Sequence, residues 1–161
     1  MTWESEPEVD ADALAAMRTA GDLALPKETG GILLGFRSDV GVHITGVIEV
    51  PDPRATRNRY QRSHRRATTL LSAALTGQPS DSPIGYVGEW HTHPAPVGPS
   101  GVDLGALAAT ALAAADQITL VVLAREDEEW RPIVTIAEPQ PPRPRTIKKT
   151  RRRPRKQSDD T

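Results

Sequence analysis

Apolar residues recur at helical spacing near the amino terminus, at Val9, Leu14, Met17 and Leu23, which predicts a helix over residues 9–24. Asp10 stands at the cap position, and Pro26 ends the pattern. The runs "GGILLGF" and "VHITGVIEV" have β-type composition, and Ser38, Asp39 and Gly41 between them are turn residues, so the two form a hairpin. A loop, "PDPRATRNRY", leads to a second helical stretch, "SHRRATTLLSAALTG", with Ser63 as its cap and Gly77 as its stop. "IGYVGEWHTH" reads as a third strand. "GVDLGALAATALAAAD" reads as a third helix that buries one Ala- and Leu-rich face. "QITLVVLAR" and "WRPIVTIAE", joined by "EDEE", form a second hairpin. The order helix, two strands, helix, strand, helix, two strands predicts an α/β fold with helices packed on a mixed sheet. The two hairpins argue against a purely parallel, doubly wound sheet.

The periodic pattern stops near residue 140. From residue 143 onward nine Lys or Arg stand against two Asp, a net charge of +7, which leaves −8 for residues 1–142. "PQPPRPRTIKKTRRRPRKQSDDT" has almost no apolar residue, so the expected organisation is one domain over 1–140 and a disordered Pro/Arg/Lys-rich tail over 141–161. A length of 161 residues supports one core and hardly two. No apolar run approaches the roughly 18 residues of a membrane helix. The acidic opening "MTWESEPEVD" lacks the basic and apolar regions of a secretion signal. The absence of cysteine excludes disulfides, cysteine nucleophiles and cysteine-ligated zinc, and suits the cytoplasm. The basic tail, together with six arginines between Arg54 and Arg66, raises nucleic acid as a partner. The scarcity of aromatics for base stacking and the acidity of the domain count against it.

The candidate chemistry is concentrated in "GEWHTHPAPVGPSGVD", Gly88 to Asp103, which holds two of the four histidines. In a strand, residues i and i+2 share a face, so His91 and His93 project together and can reach one metal ion. Asp103, at the start of the next helix, is a natural third ligand for zinc, and Pro94, Pro96 and Pro99 stiffen the loop between them. Each piece also has a plainer reading. A His-x-His pair is common at strand ends, and Ser100 with Asp103 fits a helix-capping box. His43 and His64 have no acidic or histidine neighbour at ligand spacing and read as a strand side chain and a helix-terminal surface residue. Glu28, just before "TGGILLG", is either a solvated strand-start residue or, if the sheet brings it near the histidines, a base for water.

Taken together, "ETGGILLG" and "GEWHTHP…PSGVD" resemble the JAMM (MPN+) metalloprotease family in its bacterial JAB-domain branch, over roughly residues 9–138. The family pattern is a glutamate before the first strand, then His-x-His-Pro, then Ser-x-x-Asp; here these are Glu28, His91, His93, Ser100 and Asp103. The family's fold is a curved mixed sheet flanked by helices, which agrees with the order of elements above. The resemblance implies a zinc-dependent isopeptidase or peptidase that cuts after the C-terminal glycine of a ubiquitin-like protein, in deconjugation or precursor processing. His91, His93 and Asp103 would bind Zn2+, Glu28 would be general base and acid, and Ser100 would help hold the oxyanion. No covalent intermediate is implied. One departure is that nine residues, Pro94 to Val102, separate the second histidine from the aspartate where the family usually has ten.

Bacterial relatives of this branch often work beside ubiquitin-activating-like and conjugating-like proteins, some in antiphage defence. With an uninterrupted helix after Asp103 and none of the large insertions of linkage-selective family members, the chain resembles a minimal catalytic domain, and an extended substrate C-terminus is expected to add as a strand beside the catalytic groove. The alternatives are a metal-free scaffold of the same fold and a nucleic-acid-associated protein. Trp90 and the Gly30–Gly31 pair are expected to serve packing and close backbone approach.

Overall fold

Alternation of apolar residues along each strand sorts the core onto two faces of one sheet. A computed structural model of the chain describes residues 6–140; the expected tail, 141–161, lies outside the described residues. The order is β1 (Glu8–Val9), α1 (Ala11–Ala24), β2 (Gly30–Ser38), β3 (Gly41–Glu49), α2 (His64–Thr76), β4 (Gly85–His93), α3 (Gly101–Ala114), β5 (Ile118–Glu126) and β6 (Glu129–Ala137). The six strands form one sheet in the order β1-β3-β2-β4-β5-β6. Pairs β2–β3, β2–β4 and β5–β6 are antiparallel, and β1–β3 and β4–β5 are parallel. The sheet is mixed, as expected. Helix α3 is the crossover that parallel β4 and β5 require.

On one face, Ala13, Met17 and Ala20 of α1 pack on Leu33, Ile44, Trp90, Val121 and Leu123. On the other face, Leu107 and Ala111 of α3 cover Ile118, Leu120 and Val122, and Ala67 of α2 packs on Ile32 and Val50. Burying a side chain the size of Met17 stabilises the fold by about 2 kcal/mol. Among the described residues no helix is long and apolar enough to cross a membrane.

Three local differences from the sequence expectation have clear causes. Helix α1 begins at Ala11 rather than Val9, because Glu8 and Val9 pair with His43 and Ile44 as a parallel edge strand. Asp10 occupies the cap position, but its side chain makes no cap hydrogen bond; its N–H donates to the Ile44 carbonyl at 2.9 Å instead. His43 does have an acidic neighbour: β1 brings Glu8 to 3.2 Å from Nδ1, and Ser38 Oγ lies 3.0 Å from Nε2. Ser63 caps α2 as expected, accepting from the Arg66 N–H, and Gly77 ends it as expected, in a right-handed conformation (φ −78°).

The glycines at the start of β2 are fixed by close approach. A Cβ on Gly31 would collide with the Ile48 carbonyl, and one on Gly30 with the Trp90 carbonyl. Gly31→Ala is expected to destabilise the protein by roughly 2–3 kcal/mol, because backbone must move in a packed sheet. Gly105 lies exposed within α3, where a Cβ meets nothing within 4 Å. Gly105→Ala should stabilise by about 0.5–1 kcal/mol. Thermal melts of the two variants against the parent check both signs.

Candidate metal centre

Strand pairing assembles the site. β2 runs antiparallel to β4 with Gly30 opposite His91, so Glu28, two residues earlier, lies level with His93. Buried Thr92 locks this end of the sheet. Its N–H donates to the Thr29 carbonyl at 2.8 Å, and its Oγ1 accepts from the Thr29 N–H at 3.0 Å. A register shift in the β2–β4 ladder lets Val87 and Trp90, of opposite parity, both join the core beneath α1. His91 and Glu89 line the groove on the α3 face. Asp103 arrives from the other side, on the first turn of α3.

The plain reading of the serine and aspartate, a capping box, holds. Ser100 Oγ accepts from the Asp103 N–H at 3.1 Å, and Asp103 Oδ2 accepts from the Ser100 N–H at 2.6 Å, a complete capping box. The box aims the Asp103 carboxylate at the histidines. His91 Nε2 lies 3.4 Å from Oδ1, and His93 Nε2 lies 3.5 Å from Oδ2. The two Nε2 atoms are 3.1 Å apart. His91, His93 and Asp103 can thus offer ligand atoms that all lie within 4.8 Å of one another. The nine-residue connection from Pro94 to Val102 is therefore long enough to bring the three together.

The donor set fits zinc. His93 Nδ1 lies 3.0 Å from the Val97 carbonyl, which can only accept, so the proton belongs on Nδ1 and the Nε2 lone pair faces the other ligands. Two imidazole nitrogens and a carboxylate leave a fourth position for water or substrate, the ligand count of a catalytic zinc site. Tyr60 stacks on His91 with ring centroids 6.3 Å apart. Val97, Thr92 and Tyr60 were missed by sequence reasoning. The first acts through its backbone, which no side-chain pattern reveals, and the other two match no spacing rule.

Glu28 Oε1 is 3.9 Å from His93 Nε2, and the residue is only 7% exposed. Burial pushes its carboxyl up from 4.5 to about 7, opposed by His93 and reinforced by Asp103. For Asp103, burial works upward, but hydrogen bonds from His91 and Ser100 outweigh it and hold the carboxyl well below the usual carboxylate range. Two carboxylates in one cleft are thus pushed apart, Asp103 toward a permanent anion and Glu28 toward exchanging protons near neutrality. Glu49 accepts from Thr29 Oγ1 at 2.7 Å, and Glu89 pairs with Arg62 at 2.6 Å, so both are otherwise engaged.

A raised folded-state value makes ionised Glu28 a cost to stability. The cost is absent below about pH 4.5, where folded and unfolded carboxyls are both protonated; it grows up to about pH 7 and is constant above. Metal-stripped Glu28→Gln should therefore be more stable than the metal-stripped parent above pH 7, by on the order of 1–3 kcal/mol. The difference should vanish near pH 4.5. Denaturant titrations at the two pH values check it, and a less stable variant at pH 8 would contradict it.

The chain matches the model of prokaryotic homologs of the JAB domain over residues 10–133. No curated protein matches the sequence. Among solved structures, a protein of Desulfitobacterium hafniense is similar in fold, with a TM-score of 0.61 at 17% identity, covering 83% of this chain and 85% of that one. A protein of Salinibacter ruber aligns with a TM-score of 0.49 at 25% identity, covering 80% of this chain and 79% of that one.

Proposed function

This chain belongs to the prokaryotic homologs of the JAB domain, and on that premise we propose that it is a zinc-dependent peptidase or isopeptidase acting after the C-terminal glycine of a ubiquitin-like protein. The observation that carries the reading is the placement of a buried carboxyl, Glu28, 3.9 Å from one of two histidines that share a cleft with Asp103. The choice of a ubiquitin-like substrate rests on the resemblance of Glu28, His91, His93, Ser100 and Asp103 to the JAMM pattern. A cytoplasmic location, with ubiquitin-activating-like and conjugating-like proteins as neighbours, belongs to the same reading.

His91, His93 and Asp103 would hold the zinc ion, which when bound supplies Lewis acidity toward a carbonyl and toward water. Glu28 takes a proton from water as its oxygen attacks the scissile carbonyl carbon. As the carbon–nitrogen bond breaks, Glu28 returns that proton to the departing amine, so one water is consumed and one acid and one amine are released. The Ser100 oxygen already accepts from the Asp103 N–H, which leaves its own hydrogen free to donate to the developing oxyanion.

Strand addition beside the groove cannot use β4 itself. β4 is hydrogen-bonded on both sides, to β2 and β5, and offers no edge. An extended C-terminus would lie in the groove between α3 and residues 59–62, walled by Val102, Ala106 and Leu107, and add alongside that segment. The test is release of a reporter fused to the C-terminal glycine of a ubiquitin-like protein, with zinc content measured alongside. Metal-free, inactive protein that takes up no zinc at neutral pH would mark a scaffold instead.

A further inference from the structure

Two clefts meet at His91 and Asp103. One, about 550 Å³, is the groove along α3. The other, about 710 Å³, opens over Glu28 and is lined by Arg57, Asn58 and Pro94, while Arg59 stands where the two join and borders both. Glu28 borders only the second. If Glu28 returns the proton to the leaving nitrogen, the amine side of the scissile bond lies in the second cleft and the acyl side in the groove.

The amine side is rimmed by guanidinium groups held on a fixed turn. Thr56 and Arg59 form an isolated bridge, with the Thr56 N–H donating to the Arg59 carbonyl at 2.9 Å and Arg57 and Asn58 at the tip. The Glu28 N–H donates to the Thr56 carbonyl at 2.8 Å, so the turn is tied to the backbone of the base. At its foot, Asp52 accepts from the N–H groups of Arg54 and Gln61. Among the described residues the Arg57 side chain has no hydrogen bond or ion pair, and the Arg59 guanidinium donates only to neutral Gln61, at 3.1 Å. Other arginines of the domain are spent internally: Arg62 on Glu89, Arg37 on Asp116, Arg125 on Asp22. The carboxylates inside the cleft are engaged as well, Asp103 by both histidines and Ser100, and Glu28 in proton transfer.

Resting on the peptidase reading above, we propose that Arg57 and Arg59 form a carboxylate-binding subsite on the leaving-group side, so that the enzyme prefers bonds whose released amine carries a carboxylate close by. A guanidinium matches a carboxylate with paired hydrogen bonds. An acidic first residue, or a single amino acid with its free α-carboxylate, presents such a group within reach. The side-chain amine of a lysine in a folded target presents none, since its own α-carboxyl is bound in the backbone. Both arginines are exposed, so the preference is modest, about tenfold.

The test uses the full-length zinc-loaded protein and a ubiquitin-like protein extended beyond its terminal glycine in four ways: by glutamic acid amide, by free glycine, by glycine amide and by lysine amide. We expect kcat/KM for at least one carboxylate-bearing extension to exceed that for glycine amide by about tenfold, chiefly through KM, with the gap shrinking as salt rises. Whether glutamic acid amide or free glycine is favoured tells an acidic side chain from a free α-carboxylate. Arg57→Ala should cut the carboxylate preference to about threefold or less while leaving glycine amide cleavage unchanged, adding Arg59→Ala should bring all four within about twofold of one another, and Arg57→Glu should shift preference toward lysine amide. Equal cleavage of charged and neutral extensions by the parent, or a preference that survives the double variant, would overturn the subsite and leave the peptidase reading standing. Failure to cleave any extension would overturn both.

Discussion

Glu28→Gln should give a folded, zinc-loaded protein whose turnover is lower by a factor on the order of 10²–10⁴, the range for a positioned acid–base group. Glutamine keeps nearly the shape of glutamate but cannot accept and return a proton. Glu28 is not one of the residues that group as metal ligands, so zinc content should stay at the parent level. Binding of the ubiquitin-like C-terminus should also persist, because the groove along α3 does not include Glu28. The measurement is reporter release at equal zinc loading. Near-parental turnover would move the base elsewhere and remove the mechanism, although Glu49 and Glu89, already held by Thr29 and Arg62, are poor replacements.

The second large effect is on the metal. His93→Ala should reduce zinc from one per chain to a small fraction and abolish turnover with it, since the two remaining ligands fall one short of the three that a catalytic zinc site uses. His93 is the more exacting histidine to remove: it is 7% exposed, it is oriented by the Val97 carbonyl, and it touches both Asp103 and Glu28. Elemental analysis after dialysis against a weak chelator checks the stoichiometry. Acid should strip the parent in the same way, because a protonated imidazole has no lone pair to donate. The contrast with Glu28→Gln is diagnostic: one variant loses turnover with zinc in place, the other loses both. Parental zinc retention in His93→Ala would move the metal site.

Most of the elements were legible in the sequence because each rests on local physics. The two hairpins announced themselves by β-type runs around turn residues, Ser63 and Ser100 by cap chemistry, and α3 by a long apolar stretch opening on Ser-x-x-Asp. The short β1 was not legible. Two residues carry no periodicity, and Glu8 and Val9 become a strand only because the edge of β3 is there to receive them. The same contact turned His43 from an isolated side chain into the partner of Glu8.

The residues that could do chemistry were plain in the chain itself: a His-x-His pair on one strand face, an aspartate three residues after a serine cap, and a glutamate before a glycine pair. Those are short-range facts, fixed by strand alternation and helix capping. That they meet follows from folding alone. Glu28 and His93 are 65 positions apart, and nothing local relates them until Gly30 pairs with His91 and Thr92 clamps Thr29. Gly30 and Gly31, expected to allow close backbone approach, are required there because the backbones of β4 and β3 leave no room for a Cβ. Register between distant strands is set by the whole pattern of burial on both faces of the sheet. That pattern is a property of the packed chain and cannot be read from any one stretch of it.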